Sequence, residues 1–372
     1  MNTSLPSHVP LDGPSTVGAI YAVIDAIDPK QYDRTRNFLD GAVTWLSPYL
    51  THGIINTTDI AQRVLANHKS KACYRLLFEL AWREYFHRVW QDSEDAIFAD
   101  MQRAQGGVES ALPPRAILNA STGVDVLDNG IEALLSTGRM HNHMRMWTAG
   151  LTCNLGHTHW LQPARWLYYH LLDGDLASNS LSWQWVAGTF SNKQYIANQD
   201  NLNKYSRTEQ RDTWLDLSYE ELMNIATPDV LSERSELKLQ NQALPGAAVP
   251  QRVDSPIALR SIWNLNPNWR DSTDEQHVVF IERSQLEAWP MSSKRWGFIN
   301  HWISKLNAQV WLGEVEELER LHASGAQLTR EEYPACHSWP GIVEPRRFLY
   351  PYPESHFASF SQFWKQVKKA PL

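Results

Sequence analysis

DGDLASNSLSWQW, residues 173–185, is the stretch on which the reading of this chain turns. It sets Asp173 and Asp175 one residue apart, follows them with Asn179, and brackets Gln184 with Trp183 and Trp185, all inside a segment of helical character. Asp, Asn and Ser open helices because their side chains bond the free N–H groups of the first turn. A polar helix start followed by two core aromatics would therefore account for the composition. Residues two apart on a helix, however, point about 200° apart, so Trp183 and Trp185 cannot face the same cavity.

The neighbouring segments, from about residue 15 to 230, carry apolar residues at three- and four-residue spacing: VGAIYAVIDAI, TTDIAQRVLANH, ACYRLLFELAWREYFHRVW, GVDVLDNGIEALLSTG, NHMRMWTAGLTCNLGH and PARWLYYHLLDG. Joints such as SPYLTHG and NAST supply the Ser, Thr and Gly that stop and start helices. A helical domain over residues 1–230 is expected. Residues 231–255 lose the periodicity and gain Pro and Gly, which predicts a linker. Over 256–372 the rhythm changes: HVVFIE, AQVWLG and AQLTREE read as strands, and SKRWGFINHWISKL and EVEELERLHASG as helices between them. Strands alternating with helices predict a small parallel α/β unit. No glycine-rich phosphate fingerprint follows HVVFIE, so no dinucleotide site is expected there. The tail from Arg346 is basic and aromatic, suited to packing back or to contacting a partner.

A chain of 372 residues exceeds the size at which one core stops growing, in keeping with two domains. Its 43% hydrophobic and 20% charged residues are those of a soluble globular protein. Seventeen tryptophans can fill a core, stack on a flat ligand or carry electrons, and composition does not separate these. The N-terminus lacks a basic stretch and apolar run, and no window is apolar enough to span a bilayer, so a cytoplasmic protein without membrane contact is expected. Cys73, Cys153 and Cys336, odd in number and far apart, argue against a disulfide framework or a metal centre. The net charge of −7 falls wholly within residues 1–230, so a globally basic nucleic-acid-binding surface is not expected.

Three further stretches bring together residues with chemistry. On a helix, Glu79, Trp82 and Arg83 stand at i, i+3 and i+4, so a carboxylate, a flat ring and a guanidinium share one face. The same spacing suits an ordinary intrahelical Glu–Arg pair. Asn142, Arg145 and Met146 repeat it, and a buried Arg145 would need an acidic partner, for which Asp173 and Asp175 are available. Thr44 and Ser47 precede a helix-opening Pro, as an anion seat or a plain N-cap would.

In this order, TWLSPYL, FELAWREYFHRVW, TGRMHNHMRMW and DGDLASNSLSWQW resemble one family, the DNA photolyases and cryptochromes, over roughly residues 30–205. The resemblance implies a U-shaped FAD in an all-helical, photolyase-type domain, followed here by the small α/β domain. It implies Thr44 and Ser47 at the pyrophosphate with Tyr32 near the same end. Arg83 and Arg145 would lie along the flavin with Arg145 paired to Asp173, Asp175 would face the ribityl–isoalloxazine region, and Asn179 would approach flavin N5. By the same resemblance Trp185, Trp82, Glu79, Asn142 and Met146 line the substrate cleft, while Trp183 starts an electron path that continues to Trp160. Ile117 stands where the family usually has a third tryptophan, which leaves the exit open to Trp147, Trp166 or Tyr169.

Relatives that repair (6-4) photoproducts resemble each other in carrying two histidines at the positions of Asn142 and Met146, neither of which can titrate. The implied activity is therefore a deoxyribodipyrimidine photo-lyase: light-driven repair of cyclobutane pyrimidine dimers by an electron from excited FADH⁻. The alternative is a cryptochrome-like blue-light sensor that binds FAD without repair. Helical domain first and α/β unit second resembles a compact bacterial subgroup in which the C-terminal unit covers the FAD site. That resemblance implies a monomer acting on UV-damaged, single-stranded DNA, without a conventional antenna chromophore.

Overall fold

The computed structural model describes residues 12–350 and 357–368. Where apolar spacing is strongest, helices form: Val17–Asp25, Thr57–Asn67, Ser70–Ser93, Asp125–Thr137, Asn142–Gly150, Leu161–His170 and Leu176–Ala187. Thr16, Asp28 and Asp175 start three helices by accepting first-turn N–H groups on their side chains. The 173–185 stretch is thus not helical throughout, since Asp175 is the N-cap and Asp173 lies outside. Nor does TAGLTCNLGH continue as an α-helix. Residues Leu151–Leu155 widen into a π-turn, and the Asn154 amide there donates to the Val186 and Tyr195 carbonyls.

The chain divides into two compact units. One gathers Ile27–Thr44 and His68–Lys238. Its core is one cluster in which Trp147, Trp160, Trp166 and Trp183 pack with Ile117, Leu127, Leu134 and Leu167. Many of the tryptophans are therefore core residues, and Cys73, Cys153 and Cys336 are all free and buried.

The second unit gathers Pro14–Ala26, Trp45–Asn67 and the chain from Leu239 onward. This differs from a division at 230 and 255, because two early helical stretches cluster with the late sheet. The reasons are local. The His52 ring nitrogen Nδ1 lies 2.8 Å from the Ile262 carbonyl, the Leu265 N–H donates to the His52 carbonyl, and the Tyr49 ring packs against Phe298 and Trp302. Residues 231–255 are tethered rather than free. Arg234 donates to Thr158 Oγ1 and the Gly156 carbonyl within the first unit, while Ala247 pairs with the edge of the sheet at Val310 and Leu312 in the second.

That sheet is wholly parallel and has five strands, two more than the sequence rhythm shows: β1 (Ile257–Arg260), β2 (Gln276–Glu282), β3 (Gln309–Gly313), β4 (Leu328–Glu331) and β5 (Ile342–Glu344), in the order β3-β2-β1-β4-β5. Helices Ser293–Ile303 and Val315–Ala323 make the crossovers after β2 and β3. Part of the basic aromatic tail, residues 351–356 and 369–372, lies outside the described residues. Between them, the Phe360–Val367 helix buries Phe360, Phe363 and Val367. Among the described residues no helix is long and apolar enough to cross a membrane.

Candidate functional site

A buried charge cluster of the helical unit centres on Asp175, whose side chain is 1% exposed. Arg83 and His87, one turn apart on the Ser70–Ser93 helix, both reach its Oδ2, Arg83 Nη2 at 3.3 Å and His87 Nε2 at 2.9 Å. Its Oδ1 accepts the Ser178 N–H at 2.7 Å and so caps the Leu176–Ala187 helix. Burial pushes the Asp175 carboxyl up, but the charges of His87 and Arg83 and the bonds from His87 and Ser178 outweigh it and hold the group well below the usual carboxylate range. Sequence reasoning missed His87. Its place four residues after Arg83 was the signal, since both then face one partner.

Arg145 takes the other aspartate. Its Nη2 donates to Asp173 Oδ1 at 2.9 Å and Oδ2 at 2.8 Å, and its Nε donates to the Met140 carbonyl. Asn142 is exposed at the first turn of its helix and Met146 is half-buried. The histidines that flank Asn142 are occupied structurally. His141 Nδ1 accepts the His143 N–H, and the His143 ring lies 2.7 Å from the Asn37 carbonyl and packs on Trp147 and Tyr205. Burial, with Arg36 nearby, lowers the pKa of His143 against the opposing pull of the Asn37 carbonyl.

Glu79 does not form the intrahelical pair with Arg83. It pairs with Arg36 Nη2 at 3.2 Å and stands 4.0 Å from Arg75 Nη1, and its side chain remains 34% exposed. Tyr32 belongs to the same group of charges: burial, then the Glu79 carboxylate, push its phenol up. Thr44 ends a stretch of the helical unit, whereas Ser47 is the first residue of the Ser47–Thr51 helix in the second unit. Neither hydroxyl caps that helix, whose N-cap is Leu46 with no side-chain bond.

The two tryptophans of the opening stretch separate as their spacing requires. Trp183 is 2% exposed in the core and Trp185 is 37% exposed. Trp82 is half-buried against Tyr85 and Phe86. Trp160 is fully buried, and its indole N–H donates to Asp100 Oδ1 at 2.7 Å. Ile117 and Trp147 are equally buried, and the Trp147 indole is bonded to Asn201. Asn179 is buried, and its amide donates to the Ala164 carbonyl, tying the Leu176–Ala187 helix to the Leu161–His170 helix. Beside Asn179 the Ser180 hydroxyl is enclosed with no hydrogen-bond partner among the described residues.

Residues 76–252 match the family described as the FAD binding domain of DNA photolyase. Among similar curated proteins, the deoxyribodipyrimidine photo-lyase of Streptomyces griseus is 34% identical over 153 residues, which cover 40% of this chain and 32% of that protein. The deoxyribodipyrimidine photo-lyase of Agrobacterium fabrum is 31% identical over 194 residues, 47% of this chain and 39% of that one. A cryptochrome DASH of Gloeobacter violaceus is 31% identical over 174 residues, 43% and 34% of the two chains. The matched stretch thus spans between about a third and two fifths of these relatives' own length.

Proposed function

We propose, proceeding from the match of residues 76–252 to the FAD-binding domain of DNA photolyase, that this chain repairs cyclobutane pyrimidine dimers in single-stranded DNA under blue light. FAD is the cofactor of that domain, and when bound, reduced and photoexcited it supplies the electron that opens the cyclobutane ring. The residues present fit it. Ser180 brings an enclosed hydroxyl without a partner among the described residues, and the Asp175 and Asp173 carboxylates with Arg83, His87 and Arg145 give a largely buried polar edge. Those residues and Asn179 hold the cofactor in this reading, with Tyr32 and Thr44 toward its phosphates.

The observation that carries the choice of lesion is the state of His141, Asn142 and His143. Repair of a (6-4) photoproduct needs an acid beside the lesion. Asn142 has none to give; of its two neighbouring imidazoles, His141 is buried and accepts a backbone N–H on Nδ1, and His143 meets the Asn37 carbonyl and has a lowered pKa. A cyclobutane dimer asks for less: a stacking wall, which half-buried Trp82 and Met146 and exposed Trp185 supply, and a polar anchor. Glu79, held between Arg36 and Arg75, is that anchor in this reading and hydrogen-bonds the dimer. The acidic net charge of −7 suits a single strand, where fewer phosphates need neutralising. Similarity to a cryptochrome DASH supports a second reading, a light sensor that binds FAD and repairs nothing.

Illumination of a dimer-containing oligothymidine, with dark and photoreduced controls and a duplex arm, tests the two. Light-dependent return of thymine absorbance is expected. Bound FAD without repair would establish the sensor. In the Glu79→Ala variant repair should fall by about tenfold, the worth of one charge-assisted hydrogen bond, with FAD retained. Unchanged repair would remove Glu79 from the substrate.

A further inference from the structure

Trp160 combines two features. It is 0% exposed, within the same core cluster as Trp183, and its indole N–H donates to a carboxylate rather than to a neutral acceptor. Elsewhere in this unit the Trp147 indole meets the Asn201 amide oxygen and the Trp214 indole meets the Thr122 carbonyl. The acceptor, Asp100, is held firmly. Its Oδ2 takes the Gln105 backbone N–H at 2.8 Å, and the Gln105 side-chain oxygen in turn accepts the Trp160 backbone N–H. Gln184, next to Trp183, braces the same loop by donating to the Ile97 carbonyl and accepting the Met101 N–H. Asp100 also lies 3.3 Å from His159 Nε2, and with side chains 22% and 31% exposed both groups reach solvent.

We propose that Asp100 is the proton acceptor of Trp160, so that the oxidising hole moving outward through the core ends at this residue as a proton-coupled step. The inference rests on the reading of Trp183 and Trp160 as an electron path. FAD, when bound, oxidised and photoexcited, would supply the oxidant, and Trp160 would lose one electron to it by way of Trp183. Trp160 is left as an indole radical cation, its Nε1–H bond breaks, and the proton passes along the 2.7 Å hydrogen bond to the Asp100 carboxylate. A neutral indole radical and a carboxylic acid remain, one electron and one proton accounted for, and the acid returns its proton to solvent or His159.

Removing the proton makes the return of the electron uphill. In a three-tryptophan path, distance and solvent at the last residue serve that purpose. Here the position of that residue is Ile117, itself 0% exposed, and nothing at that point can be oxidised or release a proton. A carboxylate on the second tryptophan performs the trapping one step earlier. The contact alone would not establish this, because Trp339 donates to Glu282 at the same 2.7 Å in the sheet unit. Membership of the Trp183 core cluster is what distinguishes Trp160, and Glu282 becomes the internal control.

The test is flash transient absorption on the full chain loaded with FAD, since cationic and neutral indole radicals have different spectra. In the natural chain a neutral radical should form with a solvent deuterium isotope effect. Asp100→Asn, which keeps an acceptor for the indole, should leave the cation and shorten the charge-separated state by about tenfold or more, the factor carried by a charge-assisted hydrogen bond. Asp100→Glu should restore the neutral radical, and Glu282→Gln should change nothing. A shift of the Trp160 indole ¹⁵N–H resonance in Asp100→Asn, measured without flavin, checks the contact itself. A neutral radical of unchanged lifetime in Asp100→Asn, combined with its loss in Trp160→Phe, would overturn the role of Asp100 and keep the path. Unchanged charge separation in Trp160→Phe would overturn the path.

Discussion

Asp175 meets three demands with two oxygens: it caps a helix with Oδ1 and holds Arg83 and His87 with Oδ2. Removing it would leave His87 buried without that anion and Arg83 largely so. Breaking such a pair from one side costs about 3–5 kcal/mol, so Asp175→Ala should destabilise by that amount in urea melts, and Asp175→Asn, which keeps the cap, by less. The sign with pH follows from the depressed pKa. The folded value lies well below the unfolded one, near 3.8, so the stabilisation is fully present above pH 3.8 and is lost as pH falls through the folded value. Stability of the natural chain should therefore drop with acid in that window more steeply than that of Asp175→Asn. A parallel pH dependence in the two would mean that other carboxylates dominate. The resemblance named Arg83, Arg145, Asp173 and Asp175 and paired Arg145 with Asp173, as the structure does, but it did not join Arg83 to Asp175. Spacing joined Glu79 to Arg83, whereas each found a partner from a distant segment, Arg36 and Asp175 respectively.

At the scale of elements, legibility followed length and periodicity. A 24-residue helix such as Ser70–Ser93 announces itself, whereas β1 is four residues buried on both faces and ending in Arg260, and β5 is three residues with Ile342 and Val343 exposed. Too short to show a period, they join the sheet by tertiary pairing alone. Arg260 lies inside because its guanidinium donates to the Asn266 and Trp269 carbonyls, closing the loop after β1; burial lowers its pKa to about 10. The Trp45–Asn67 stretch meets that same loop through Gly53. There φ is +62°, and a Cβ would stand 2.1 Å from the Trp263 carbonyl oxygen, backbone that cannot swing aside. Gly53→Ala should cost about 2–5 kcal/mol, the sum of a left-handed alanine and an overpacked contact. Gly18, in the Val17–Asp25 helix of the same unit, has nothing within 4 Å of its Cβ direction, and Gly18→Ala should stabilise by about 0.5–1 kcal/mol. Equal melting of the two variants would argue against the close approach at Gly53.

For the molecule as a whole, the order of elements along the chain is not the order of its cores. Pro14–Ala26 belongs to the sheet unit, Ile27–Thr44 to the helical one, Trp45–Asn67 to the sheet unit again, and His68–Lys238 to the helical one before the chain passes to the sheet for good. Periodicity shows that a helix has an apolar face; it does not show which core takes that face, so a contiguous first domain was the natural reading and the interleaving was hidden. One consequence is testable by truncation. A chain ending at Lys238 keeps Ile20, Ile24, Tyr49, Ile54, Ile60 and Val64, each at most 2% exposed in the full chain, without the sheet they cluster with. Their burial is worth about 1.5–3 kcal/mol each, and even half of that total rivals the roughly 5–15 kcal/mol that holds a whole domain. The fragment should aggregate or melt without cooperativity, and co-expression with residues 239–372 should recover soluble, cooperatively folded protein. A soluble 1–238 fragment with a sharp thermal transition would mean that the early helices find their core within the helical unit, and that the sheet is an appendage rather than the other half of an interleaved fold.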